Sequence, residues 1–245
     1  MPIKRPQLIN EEIYHIVSRG VGDSLIFQDI NDYYRGIFSL YEFNNVKSVN
    51  IWLRRQQRKK EKALQSKALR EQFSQLLQLV PQRDLLVEIL AFYFMPNHIH
   101  LLLRQIKDNG ITQFMRKFGA GYAGYFNRRY NRKGHLFQGR FRAVRIKTNE
   151  QLKNVFVYIH TNGVSLLEPK WKEIGIKNPK KVIKFLENYK WSSYQDYIGK
   201  KNFSSVTKRD FLLRVMNGET GCRKFIGGWI KYKKEIKDFG DIALE

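Results

Sequence analysis

The chain has 245 residues, 42% of them hydrophobic, which is enough for one large folded domain with its own core. Its 45 lysines and arginines against 22 aspartates and glutamates give a net charge of +23, which favours a polyanion such as nucleic acid as partner. The single cysteine excludes an intrachain disulfide and a cysteine-based zinc site, so we expect a cytoplasmic, nucleoid-associated protein. We expect no membrane anchor, because no apolar run is long enough to cross a bilayer.

The first third of the chain alternates strand and helix patterns. Residues 12–21 alternate apolar and polar side chains and predict a strand, and residues 29–32 offer helix-capping side chains before a helix that ends at 44–45. Residues 46–84 are rich in lysine and arginine and predict a basic helical insertion. This insertion is either a solvated surface or an arm that contacts a nucleic-acid backbone.

Strand character returns at 85–94, where Pro96-Asn97 then marks a hairpin turn into a second strand that begins His98-Ile99-His100. Residues i and i+2 of a strand share a face, so the two imidazoles point the same way and can hold one metal ion. A pair of half-buried strand histidines with no ligand is the commoner explanation of an isolated His-x-His pattern. Support for a metal site must therefore come from elsewhere in the chain.

The next segment is both aromatic and basic. Residues 111–127 predict a helix, 128–134 a polar loop, and 135–146 a strand with arginines along one face, which phosphate contact explains better than packing does. Tyr125 with Arg129 suits stacking and backbone contact with a single strand. The candidate DNA-binding residues of this segment are Arg116, Lys117, Tyr125, Arg128, Arg129, Arg132, Arg140, Arg142 and Arg145.

A helix that starts at Thr148 carries Tyr158 and Asn162 four residues apart, hence on one face and outside its apolar stripe. If this helix lies beside the hairpin, Asn162 can complete a His-His-amide ligand set for magnesium or manganese, and Tyr158 can reach a bound phosphate. A phenol becomes a useful nucleophile when a nearby cation stabilises the phenolate. A helix tyrosine that only packs its ring is the structural alternative. His15 on the first strand could approach this site, although we expect it to be a satisfied histidine of the sheet. For His160 we expect a surface or packing role, and for His135 a phosphate contact or a structural hydrogen bond.

The order of five motifs resembles the IS200-like single-tyrosine transposases, most closely their REP-associated branch. The motifs are Tyr14-His15 with Arg19-Gly20, residues 95–103, residues 134–141, Tyr158-Ile159-His160-Thr161-Asn162, and Trp191-Ser192-Ser193-Tyr194. The resemblance covers most of residues 10–200. It departs from the family at Gly163, where relatives usually have proline, and at the basic insertion.

This resemblance implies an α+β fold: a ferredoxin-like or RRM-like antiparallel sheet with helices packed on one side. It implies a nuclease domain over residues 1–200 and a helical basic extension over 201–245. It further implies that Tyr158 attacks the 5′ phosphate of single-stranded DNA near a hairpin, with His98, His100 and Asn162 holding Mg²⁺ or Mn²⁺. A monomer is favoured over a homodimer.

Two other functions remain open from the sequence. One is a non-catalytic DNA- or RNA-binding module that uses an RRM-like sheet. The other is a metal-dependent phosphodiesterase, which would need the same histidines but would use water in place of tyrosine.

Overall fold

A computed structural model of the protein describes residues 7–54, 56, 59 and 83–235. Its sheet has the strand order β2-β3-β1-β4, and each neighbouring pair is antiparallel. With its two intervening helices this is the βαββαβ ferredoxin-like arrangement, so the predicted α+β class and antiparallel sheet are confirmed. The elements are β1 (Ile13–Arg19), α1 (Ile30–Phe43), β2 (Val87–Phe94), β3 (His98–Gln105), α2 (Gly110–Arg129) and β4 (Arg142–Ile146).

A second set of helices follows β4. The predicted helical region near the C-terminus is present as two helices separated at Asn217, which has a positive φ of 59°. None of the helices described has the length and apolar character needed to cross a membrane. The set comprises α3 (Asn149–Thr161), α4 (Val164–Leu167), α5 (Trp171–Ile174), α6 (Pro179–Asn188), α7 (Tyr194–Tyr197), α8 (Asp210–Val215) and α9 (Gly218–Glu235).

Two predicted segments differ in extent from what the structure shows. The strand predicted over 135–146 begins only at Arg142, because Gly134 and Gly139 have positive φ values of 87° and 58° that interrupt an extended chain. Most of the predicted basic insertion lies outside the described residues, and its described part includes a helical stretch at 51–54.

Each face of the sheet carries its own helical layer. Helices α1 and α2 cover the face formed by residues such as Tyr14, Ile16 and Ile99, which matches the predicted layer on one side. The opposite face, which includes Leu102 and Tyr93, packs under α3 and the helices that follow it. The physical reason is that β2 and β3 are apolar on both faces, so both faces must be removed from water.

A β-bulge changes the alternation of side chains within β2. The register shifts between Ile89 and Ala91, so Leu90 is an extra residue in this strand. Beyond it, Phe92 faces the layer of α1 and α2, whereas Tyr93 faces α3. The bulge therefore determines which aromatic side chains reach each layer.

Helix α3 is fixed at its start and along its length. The Thr148 side chain caps the helix by accepting a hydrogen bond from the Gln151 N–H. His160 is fully buried and bonds the Ser193 Oγ through Nε2 at 2.9 Å. Ser193 Oγ in turn accepts from the Phe92 N–H of β2 at 3.0 Å. The serine of the Trp191-Ser192-Ser193-Tyr194 motif thus joins α3 to the sheet, and His160 has a packing role.

Candidate active site

The two histidines of β3 share one face of the sheet, as their spacing predicts. Their ring centroids are 4.8 Å apart. His100 is 3% exposed, whereas His98 at the start of the strand is half-buried. The residue between them, Ile99, packs with α1 and α2 on the other side. The imidazole pair therefore lies beneath the layer that contains α3.

A third histidine, His15 of β1, lies in direct contact with His100. Its Nε2 is 3.0 Å from His100 Nδ1, and the two rings stack with centroids 5.2 Å apart. The other nitrogen of His100, Nε2, is buried and has no hydrogen-bond partner among the described residues. The sequence indicated that His15 could approach the site but favoured a structural role for it, and it did not predict this contact with His100. The signal for it was the Tyr14-His15 pair within the motif order, together with the antiparallel pairing of β1 and β3.

Burial keeps these imidazoles neutral. It lowers the pKa of His15 to about 4. It also holds the pKa of His100 well below its ordinary value, and three nearby basic groups lower that pKa further: His15, His98 and Arg19. A neutral imidazole is the form that binds a metal ion, so the two side chains are in the ligand state at neutral pH.

Tyr158 of α3 lies against this histidine pair. Its ring centroid is 5.6 Å from that of His100 and 5.7 Å from that of His15, in edge-to-face contact with both. The side chain is half-buried and packs beside the core of the α3 layer. The helix therefore lies beside the histidine hairpin, which is the placement that the sequence reasoning required.

Asn162 ends α3 one turn after Tyr158. Its Nδ2 donates to the Tyr158 carbonyl oxygen at 2.8 Å, so Oδ1 is the atom that could bind a metal. The next residue, Gly163, has no room for a side chain, because a Cβ there would lie 1.8 Å from the Tyr93 hydroxyl oxygen. Tyr93 pairs with His100 across β2 and β3. A proline at this position, which carries a Cβ, would therefore clash with Tyr93.

The candidate DNA-binding residues of α2 lie on the layer that faces away from the histidines. Lys117 donates to three backbone carbonyl oxygens just after α1, those of residues 45, 46 and 47, at 2.5, 2.8 and 3.1 Å. Burial and the neighbouring charge of Arg116 lower its pKa. Lys117 therefore holds the segment that follows α1 against α2.

Tyr125 and Arg129 are also engaged within the protein. The Tyr125 hydroxyl donates to the buried carboxylate of Asp32 at 3.0 Å, and Arg129 donates to the same carboxylate at 3.2 Å. Arg129 also pairs with Asp29, the capping residue of α1. These contacts hold α2 against the start of α1, and stacking of Tyr125 on a base would have to compete with them.

The predicted row of three arginines on one strand face is not formed. Arg142 pairs with Val17 on the histidine side of the sheet, whereas Arg145 pairs with Tyr14 on the opposite side, because the two residues are an odd number apart. Arg145 also forms an ion pair with Glu12.

The remaining candidates divide by their surroundings. Arg132 donates to the Asn127 side chain and to the His135 carbonyl oxygen, so it holds its own loop together. Arg140 lies in the irregular segment before β4. Five arginines of the set are exposed, and Arg129 is the one among them that pairs with Asp29 and Asp32: Arg116, Arg128, Arg129, Arg140 and Arg142.

A ferredoxin-like sheet whose histidine pair faces a tyrosine on a following helix is the arrangement that the motif order implied for a single-tyrosine transposase. Residues 45–162 match the family model described as "Transposase IS200 like". This part of the chain is similar to that family and includes His98, His100, Tyr158 and Asn162. The resemblance inferred from the motifs is confirmed.

Two further comparisons were with solved structures and with curated proteins. This structure is similar to that of a REP-associated tyrosine transposase bound to a REP hairpin, with a TM-score of 0.45. The two sequences are 11% identical, and the match covers 83% of this chain and 90% of that chain. No curated protein matches the sequence.

Proposed function

We propose that the protein is a metal-dependent endonuclease and strand transferase for single-stranded DNA, with Tyr158 as its nucleophile. The observation that carries this proposal is the contact of the Tyr158 ring with His100 and His15 at centroid distances of 5.6 and 5.7 Å. The match of residues 45–162 to the IS200-like family model supports the class of reaction. The proposal includes a DNA hairpin next to the cleavage site, because the motif resemblance implies one.

The residues present fit a divalent cation. His98 Nδ1 is 2.7 Å from Asn97 Oδ1, to which it can donate, so Nε2 is then the nitrogen with a lone pair. His100 Nε2 is buried without a hydrogen-bond partner in the described ranges, and the amide oxygen of Asn162, one helical turn after Tyr158, would be the hard third ligand of this proposal. Two imidazoles and one amide oxygen suit Mg²⁺ or Mn²⁺ when water and phosphate oxygens complete the shell.

In the described part of the chain, no group of three or more His, Cys, Asp or Glu side chains is arranged to hold a metal ion, so the proposed ligand set depends on the amide of Asn162. When bound, the cation would polarise the scissile phosphodiester and stabilise negative charge on the attacking oxygen.

His15 acts in this proposal as a positioning residue. If His15 Nε2 accepts the proton of His100 Nδ1, then His100 must present the lone pair of Nε2. Ligating histidines commonly have their second nitrogen fixed in this way, which sets both the tautomer and the orientation of the ring. The stacking of the two rings gives His100 little freedom to turn.

In the reaction, the Tyr158 hydroxyl oxygen attacks phosphorus and loses its proton. The bond from phosphorus to the tyrosine oxygen forms as the bond to the 3′ oxygen breaks, and the released 3′ oxygen takes up a proton. The 5′ phosphate stays on Tyr158 as a phosphodiester, so another 3′ hydroxyl can displace the tyrosine and join the strands.

The RRM-like binding module fits the structure less well. Modules of that kind stack unpaired bases on an open face of the sheet. Here α1 and α2 cover one face, and α3 packs on the other. The side chains of β3 at the centre of the sheet, such as Leu101 and Leu102, are fully buried.

The test is a search for a covalent protein–DNA band after incubation with Mn²⁺ and a hairpin-bearing single strand. We expect the band with the wild-type protein and with the matched control Tyr232→Phe, an exposed tyrosine of α9. We expect none with Tyr158→Phe. A band that persists in Tyr158→Phe would refute the nucleophile, and cleavage by both proteins without any band would favour the water-using phosphodiesterase.

A further inference from the structure

A cavity of about 370 Å³ lies beside α6, outside the histidine site. Its volume falls within the range of about 300–1,000 Å³ that is usual for small-molecule sites. Aromatic and aliphatic side chains form its wall, and lysines surround it together with one asparagine. The wall is formed by Leu167, Phe185, Tyr189 and Trp191, and the polar residues are Lys181, Lys184, Lys190 and Asn188.

The charges around this cavity are of one sign. None of the residues that line it is acidic, and its three lysines are exposed. Lys190 extends over the ring of Trp191, with Nζ 5.7 Å from the centroid, and it donates to the Tyr34 hydroxyl. An apolar aromatic wall with cations at its rim matches a flat, apolar ring that is attached to anionic groups.

The aromatic wall is connected to the hairpin that carries the histidines. The Tyr189 hydroxyl donates to the Phe94 carbonyl oxygen at 2.8 Å, and the next residue, Met95, donates its N–H to the His98 carbonyl oxygen at 2.8 Å. Tyr189 also stacks on Tyr93, with ring centroids 4.9 Å apart. A strand of DNA held at His98 therefore needs to cross only the end of this hairpin to reach the cavity.

We propose that this cavity binds one unpaired nucleotide of the DNA strand that flanks the scissile phosphate. Its base stacks on the aromatic wall, and the adjacent phosphates contact the rim lysines. A paired base cannot enter such a cavity unless it leaves its duplex, so the cavity selects for single-stranded DNA next to a hairpin stem. The inference rests on the proposed function and adds to it a substrate contact that lies outside the histidine site.

The first test measures how the binding of a single-stranded oligonucleotide to Tyr158→Phe protein, which cannot cleave it, depends on salt. In this background the pocket variant is Lys181→Glu/Lys184→Glu. The matched control is Lys180→Glu/Lys224→Glu, two exposed lysines that do not line the cavity, with the same change in net charge. Loss of two phosphate contacts is expected to lower the slope of log Kd against log salt by about 1.4 in the pocket variant. An equal change in both variants would overturn the proposal, since it would reflect general attraction alone.

The second test identifies the base. A series of oligonucleotides with one abasic position each is bound to the same Tyr158→Phe protein, and we expect weaker binding for a single position close to the cleavage site. Removal of the base at that position should no longer weaken binding to the Phe185→Leu variant, because this variant lacks one aromatic ring of the wall. Equal affinity along the whole series, or a position that keeps its effect in Phe185→Leu, would refute a base in this cavity.

The covalent-band assay separates this proposal from the proposed function. A band at Tyr158 together with unaltered binding by the pocket variants would refute the cavity and leave the function standing. Selective loss of binding in the pocket variants without a band in any protein would refute the function and support the cavity as a single-strand binding site.

Discussion

Replacement of Gly163 by alanine should destabilise the protein through a single contact. The backbone at this position has φ −66° and ψ −10°, which alanine adopts readily, so the backbone alone would favour the change by about 0.4–1 kcal/mol. The new Cβ, however, would lie 1.8 Å from the Tyr93 hydroxyl oxygen and 2.9 Å from Cζ of the same ring. Tyr93 is fully buried and stacked on Tyr189, so its ring has little room to move. Overpacking of this kind costs about 1–3 kcal/mol, and we expect a net loss within that range.

The hydroxyl can be tested separately from the ring. The Tyr93 hydroxyl has no hydrogen-bond partner within the described part of the chain, so Tyr93→Phe alone should change the stability little. In the Tyr93→Phe background, the loss of unfolding free energy caused by Gly163→Ala should be smaller than in the wild-type background by about 1 kcal/mol or more. A coupling of this size is typical of residues in contact. The free energy of unfolding is measured by urea titration, followed by circular dichroism, for the wild type, the two single variants and the double variant. The matched control is Gly228→Ala, where a Cβ would meet nothing within 4 Å, and it should be neutral or stabilising. An equal cost of Gly163→Ala in both backgrounds would show that the hydroxyl is not the obstacle.

Three more predictions concern other parts of the molecule. His15→Ala should weaken Mn²⁺ binding about 10–100-fold in calorimetric titration while the circular dichroism spectrum is kept, and unchanged affinity would contradict its positioning role. Asp32→Ala should lower the free energy of unfolding in urea by about 3–5 kcal/mol, because it removes a fully buried carboxylate that pairs with Arg129. The control Asp23→Ala breaks an exposed ion pair and should cost less than about 1 kcal/mol. Similar losses in the two variants would refute a structural role for the buried carboxylate. Cys222 is fully buried, and burial raises the pKa of its thiol to about 12. A thiol reagent should therefore modify Cys222 only after denaturant is added. Rapid modification of the native protein would contradict this burial.

Sequence patterns predicted the ferredoxin-like elements well where periodicity and capping signals agreed. The capping residues Asp29 and Thr148 determine the starts of α1 and α3 in the structure. Two simple periods, two residues in a strand and about four in a helix, predicted that His98 and His100 share one face and that Tyr158 and Asn162 share another, whereas the contact between the two faces was a condition of the hypothesis. These local rules suffice when a functional side chain sits within a regular element.

Contacts between distant segments could not be predicted in the same way. The bond between His15 and His100 joins residues 85 positions apart, and it depends on the register between β1 and β3. The engagement of Lys117 with carbonyl groups after α1 depends on how α2 packs against α1. A basic residue on a helix looks the same in the sequence whether it contacts DNA or binds backbone carbonyl groups of a neighbouring segment, so charge alone did not separate the two roles.

The bulge in β2 marks the place where this strand can change in length. Deletion of Leu90 would leave Ile89 opposite Leu103 and Ala91 opposite Leu102, so every later side chain of β2 would keep its face. Deletion of Phe92 would instead turn each later side chain of β2 to the other face, so that Tyr93 would enter the layer of α1 and α2 and Phe94 would face α3. We therefore expect natural relatives to accept changes of length at the bulge and in the loop before β2 far more readily than between Phe92 and Phe94.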